Sequence, residues 1–141
     1  MRGFAALALV AVSAACVRTN AALIDPTVHL APTCTDAIRL YTSADAVQQP
    51  YQQVALLNSS GESQWSNESA MIKSMRKKAA ELGANGIILN YIDEPSALSK
   101  VVGAVAKTGT ERKGRSMAVF IPSDSARARA ACVAAAAAEK R

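Results

Sequence analysis

The sequence predicts an α+β fold, a small and mainly four-stranded sheet covered by one amphipathic helix in the order β-β-α-β-β. Three observations carry this. Short β-favouring runs at 37–41, 51–57, 86–92 and 116–121 are bounded by Pro, Gly and Ser clusters. Between the second and third runs, Met71, Ile72, Met75, Ala79 and Leu82 recur at intervals of three and four, the period of a helix with one buried stripe. The chain of 141 residues, less an exported leader, has room for one domain.

The first β run, Ala37-Ile38-Arg39-Leu40-Tyr41, alternates apolar and polar positions, as a half-buried strand does. Pro50 breaks the chain before residues 51–57, where Val54 to Leu57 are apolar throughout, which predicts a central strand covered on both faces. Asn58-Ser59-Ser60-Gly61 has the chemistry of a turn. The helix spans 67–82. Ser66 or Asn67 caps it, Glu68 complements the dipole in its first turn, and Gly83 supplies the left-handed residue that ends it. Lys73, Arg76 and Lys77 fall on the side away from the stripe, a pattern more common for a solvated helix face than for a binding patch.

Residues 86–92 form the third strand, so the strand, helix and strand make a crossover unit with parallel strands. The stretch 93–115 reads as a long loop: 96–107 has some helical character, and the glycine-containing 108–115 reads as mobile. The fourth strand, 116–121, is stopped by Pro122. Residues 123–141 are an alanine-rich charged tail able to form a C-terminal helix, although alanine buries too little area to dock it firmly.

The N-terminus is an address. Met1-Arg2-Gly3 carries one positive charge, 4–12 is apolar, and small residues lead to Cys16, the pattern of a secretion signal over 1–15. The apolar run is shorter than the roughly 20 residues needed to span a bilayer. Ser13-Ala14-Ala15-Cys16 resembles the lipobox of bacterial lipoproteins, in which the cysteine is acylated and becomes the new N-terminus; Ser13 stands where leucine is usual. The alternative is cleavage after Ala15 or Ala22 with release into the periplasm. Residues 16–35, with Asp25-Pro26 and Ala31-Pro32, read as a tether between that cysteine and a domain at 36–122.

Of three cysteines, lipidation of Cys16 leaves two, and Cys34 and Cys132 could then pair in an oxidising compartment or remain separate thiols. The formal charge of +5 is spread along the chain, and at 4% the aromatics are too few to interleave a basic face, which argues against nucleic acid. His29, the one histidine, lies in the expected tether, so neither a histidine-based triad nor a metal cluster of His and Cys is foreseen. Asp93-Glu94 is better read as solvated surface than as a cation site. No cofactor is implied and no catalytic residue stands out.

Residues 69–89, from Ser69-Ala70-Met71 through Leu82-Gly83-Ala84-Asn85-Gly86 to Leu89, resemble the helix-to-strand signature of the RcsF-like and YbjQ-like superfamily. Upstream, 38–42 with Pro50-Tyr51 and Val54-Ala55 looks like that family's opening strands. The resemblance implies a small α+β domain, often on a lipoprotein; members include an outer-membrane lipoprotein that reports envelope damage and relatives described as metal binders. Domains of that kind carry more cysteines than the two that remain here. The resulting expectation is a non-catalytic lipoprotein of the cell envelope, at the outer membrane facing the periplasm, held by its N-terminal lipid and acting on an envelope protein. The alternative is a soluble periplasmic module for a small ligand or metal, able to form homo-oligomers.

Overall fold

A computed structural model describes residues 17–62, 66–93 and 110–141. The expected leader 1–15, Cys16 and the expected helical stretch 96–107 lie outside them. The fold is α+β, with five strands where four are expected. In chain order the elements are β1 (Arg18–Leu23), β2 (Arg39–Tyr41), β3 (Gln52–Glu62), α1 (Glu68–Glu81), β4 (Gly86–Asp93), β5 (Glu111–Phe120) and α2 (Ser125–Glu139). Across the sheet the strands run β1-β3-β5-β4-β2. The β2 and β4 pair is parallel and the other pairs are antiparallel. Strands β3 and β4 are therefore parallel, as the crossover argument requires, but β5 lies between them.

The extra strand comes from the expected tether. Residues 18–23 pair with β3 from Arg18↔Ser60 to Leu23↔Ala55. They escape a hydrophobicity reading because their inward positions are Thr19 and Ala21: the Thr19 hydroxyl bonds those of Ser59 and Ser74 at 3.0 and 2.7 Å, and Ala21 packs on the core. The rest of 17–35 is stitched down as well. The Thr33 amide donates to Ala80 O (2.9 Å) and its hydroxyl to Ala84 O (2.9 Å), while Leu30 packs on the core. The folded unit therefore begins before residue 36, and Pro26 lies after β1 and not within it.

Two further expectations are corrected. Strand β3 continues through Asn58-Ser59-Ser60-Gly61 to Glu62, because Ser59 is buried with its hydroxyl bonded and Gly61 is closed over by Ser66. Residues 111–115 belong to β5 and are not a mobile loop, since all of them pair with β3 and Lys113 to Arg115 also pair with β4.

One face of the sheet carries α1. Asn67 caps it, its side chain accepting from the Ala70 amide at 2.8 Å. The buried line is Met71, Met75 and Ala79, joined by Ala80, whereas Ile72 is half-buried; the stripe is rotated slightly from the one the spacing predicts. Met75 and Ala79 lie over Ala55, Leu57, Ile87 and Ala118 in the main core. The methionines sit so close to the sheet that a Cβ at Gly114 would meet Met75 Cε at 2.8 Å. Gly83 ends the helix at φ 78°, and a Cβ there would meet Leu30 Cβ at 2.4 Å. That glycine is needed both for its left-handed backbone and for the passage of 30–31 against it.

Among the described residues, the opposite face is covered at one end, by a small cluster of Val47, Ile88, Val119 and Ile121 with Tyr41 and Tyr51. The alanine-rich tail is helical, as expected, and as expected it buries little: Ala128 is the buried residue of α2.

Candidate functional site

The rest of that second face, which no other described residue covers, is a distinctive surface among the described residues. Register places its residues in three rows across the strands. Nearest the small cluster runs an apolar row, with Ala22 opposite Leu56, Leu56 opposite Met117 and Met117 opposite Ile88. The next row is polar: Asn20, Asn58, Arg115 and Tyr91. The third holds Arg18, Ser60, Lys113 and Asp93.

In the middle row the Arg115 guanidinium donates from Nε to Asn58 Oδ1 at 3.0 Å and lies over the Tyr91 ring, 5.8 Å from its centroid. Tyr91 is 40% exposed. An aromatic and an arginine set beside half-buried Leu56 and Met117 give a graded patch, apolar at one side and charged at the other. Aromatic, methionine and arginine side chains are the types enriched at protein contact surfaces. A bulge between Leu89 and Tyr91 puts the tyrosine on this face.

A second feature fixes α2. Cys34 and Cys132 form a disulfide that joins the residue ahead of the short turn Thr35–Ala37 to the middle of α2, with Cα atoms 5.5 Å apart. One turn of helix closer to its start, Arg127 donates from Nε to both oxygens of Asp124 at 2.8 Å and from Nη2 to Ala37 O at 2.7 Å. The hydrogen bonds from Arg127 hold the Asp124 carboxyl below its ordinary range, against the opposing effect of burial, with charge from Arg127 and Arg39 adding to the lowering. The same pair raises the Arg127 guanidinium. An arginine has thus been recruited to close the end of the short turn Thr35–Ala37 and the start of α2 together.

Asn85 is the most demanding polar group. Buried, it donates from Nδ2 to Ile121 O (2.8 Å) and accepts from Ile121 N (2.7 Å), while its own backbone bonds Val119 O and Arg39 N. A side chain here takes the place of a strand, carrying the ladder one residue beyond β5.

Of the expected site residues, Cys34 and Cys132 are brought together and Cys16 lies outside the described residues. Lys73 and Lys77 are exposed and Arg76 is half-buried on α1, on the far side of the sheet from the graded patch. His29 is exposed in the segment after β1. Among the described residues no three His, Cys, Asp or Glu side chains come together in a way that could hold a metal ion, and no helix is long and apolar enough to cross a membrane. Sequence reasoning missed the graded patch. Its trace was the alternation Glu111, Lys113, Arg115, Met117, Val119 along β5, in which one face passes from charged to apolar.

No protein-family description matches the chain, and no curated protein sequence does. Among solved structures it is similar to the crystal structure of FvfA, a virulence factor of Francisella, in its orthorhombic form. The two are 18% identical, the match covers 74% of this chain and 97% of that one, and the TM-score is 0.52. The likeness shows a shared fold. At that identity it transfers no activity and no site residue.

Proposed function

We propose that this protein is a non-catalytic lipoprotein of the bacterial cell envelope that works by protein contact, as a sensor or assembly factor, and that the graded face around Arg115 and Tyr91 is its contact surface. The observation that carries the reading is the disulfide between Cys34 and Cys132, since such bonds form and persist outside the reducing cytoplasm. Support for export and anchoring comes from the leader-like 1–15 and the lipobox-like Ser13-Ala14-Ala15-Cys16. The resemblance of 69–89 to RcsF-like domains points the same way.

The position of β1 changes what an anchor at Cys16 would do. One residue separates Cys16 from Arg18, so an acylated Cys16 would hold the domain against the membrane surface, without the standoff a tether over 16–35 would give. The Arg18 end of the graded face would then lie nearest the lipid. Placement at the outer membrane, facing the periplasm, is part of this proposal.

The test is a photo-crosslinking amino acid placed at Asn58 or Asn20, on the graded face, and at Lys77 on the far side, in cells of the native host. Capture of one specific envelope protein from the graded face, and none from Lys77, is expected. Equal, unspecific labelling from both faces would reject the assignment. A second reading, a periplasmic module that binds a small ligand, is favoured by one observation, the cleft beside α2.

A further inference from the structure

A cleft of about 670 Å³ runs between α2, the segment through residues 30–33, and the start of β4, within the roughly 300–1,000 Å³ range of small-molecule sites. Leu30, Ala31, Pro32, Phe120, Ala128 and Val133 make its apolar surface. From α2 come Ser125, Ala128, Arg129, Cys132 and Val133, one face of the helix at spacings of three and four. Val133 is 72% exposed, unusual for an aliphatic residue on a helix whose other surface positions are alanine or charged.

The neutral polar side chains along this cleft are already engaged. The Asn85 amide is committed at both ends to Ile121, the Thr33 hydroxyl donates to Ala84 O and its amide to Ala80 O, and the Ser125 hydroxyl donates to Pro122 O at 2.7 Å. Arg129 is the one charged residue among the described residues lining the cleft, and no described carboxylate lines it. Among the described residues Arg129 has no ion pair. A ligand rich in hydrogen-bonding groups, such as a sugar, a nucleotide or an extended peptide, would leave its own groups unmatched there, which is costly. A long apolar body with a single anionic end meets no such penalty.

We infer that the cleft beside α2 binds a single-chain anionic amphiphile, a fatty-acid carboxylate, with the acyl chain along Leu30, Pro32, Phe120 and Val133 and the carboxylate on Arg129. The ligand meant here is a free fatty acid, a separate molecule from any acyl group on Cys16. Strand β1 starts opposite Ser60, whereas Phe120 at the cleft lies opposite Gln52; that stretch of β3 spans roughly 27 Å at ~3.4 Å per residue. One acyl chain reaches about half of the roughly 30 Å hydrocarbon layer. The inference is independent of whether Cys16 is acylated.

The test is a fluorescence titration of the full mature chain, stripped of bound lipid, with cis-parinaric acid below its micellar concentration, followed by displacement with hexadecanoic acid, hexadecan-1-ol and hexadecyltrimethylammonium. Expected is saturable binding of one probe per chain, displaced by the acid at a concentration at least tenfold below that needed for the alcohol or the cation. Arg129→Gln should abolish the preference for the acid, because it removes a charge-assisted hydrogen bond. Val133→Glu should weaken binding at least tenfold, since it replaces apolar lining and sets a carboxylate one helical turn from Arg129. Both residues are on the surface of α2, so an unchanged melting temperature and an intact disulfide confirm folding. No saturable binding, equal displacement by acid and alcohol, or binding unchanged in both variants would overturn the inference. A separate mass measurement on the mature N-terminus reports on the anchor, so failure here and failure of the envelope reading are distinguishable.

Discussion

Replacing both Cys34 and Cys132 by serine, or reducing them, should release α2 first and weaken the whole domain second. The bond closes a loop of sequence separation 98. In the chain-entropy treatment a loop of that length is worth about 4.7 kcal/mol at 25 °C. For a domain of this size that corresponds to a fall in Tm on the order of 15 °C, less where the unfolded chain is already compact. Helix α2 cannot replace the loss by packing, because Ala128 is its buried side chain and the Asp124, Arg127 and Ala37 contacts act at its first turn only. Two measurements check this: a thermal melt by circular dichroism with and without dithiothreitol, and amide exchange across 128–139. The expected result is a Tm lowered by about 10–15 °C, with exchange in α2 rising well before exchange in β3 and β5. A reduced protein that melts within about 2 °C of the oxidised one, with α2 still protected, would refute the view that the disulfide holds the helix.

Other variants probe the remaining contacts. Asn85→Ala should cost about 1–3 kcal/mol in chemical unfolding, because it strands the Ile121 amide in a buried site, while the Ile121 carbonyl keeps the Asp124 amide; a loss under about 0.5 kcal/mol would contradict the clamp. Met75→Ala, at the centre of the buried line over Ala118, should cost about 2–5 kcal/mol in the same assay. Ile72→Ala, half-buried beside it, should cost clearly less. Since the Asp124 carboxyl is held below its ordinary range in the folded state, its contribution is present above about pH 4, the unfolded value, and is lost as pH falls through the folded one. The parent should therefore lose stability faster than Asp124→Asn below about pH 4 in acid titrations of Tm; parallel curves would count against the pair.

The parts of the fold legible in the sequence were those where a strong periodic signal coincided with a strong stop. Helix α1 and strand β4 met both conditions, with the methionine line, the Asn67 cap and Gly83 all in their expected roles. Strand β1 was hidden because its inward residues, Thr19 and Ala21, are small or polar; they are held by hydroxyl bonds and neighbouring packing that no single-chain pattern displays. The ends of β3 and β5 were hidden for a related reason. Ser59, Ser60, Gly61 and Gly114 have turn chemistry in isolation, yet Ser59, Gly61 and Gly114 are buried where α1, Val17 and Ser66 come close to the sheet. Small residues were needed for that approach.

The signature across 69–89 has a physical explanation in this chain. Gly83 turns the backbone under Leu30, Ala84 is buried in the core, and Asn85 stitches the new strand to the end of β5. Those demands belong to the fold, which is why the string spoke clearly of architecture and gave no site. The sequence left Cys34 and Cys132 open between a pair and two separate thiols, and the structure joins them. The graded face and the cleft beside α2 both depend on elements brought together across the chain, so neither could be read from local spacing.

The proposed function rests on export of this chain and on an anchor placed directly ahead of β1. Intact mass and tandem mass spectrometry of the protein taken from its native membranes decides this most directly. The expected species starts at Cys16, carries diacylglycerol on the sulfur, and has Cys34 and Cys132 oxidised. A species retaining residues 1–15 with three reduced cysteines, or one that begins downstream of Cys16 without lipid, would contradict it.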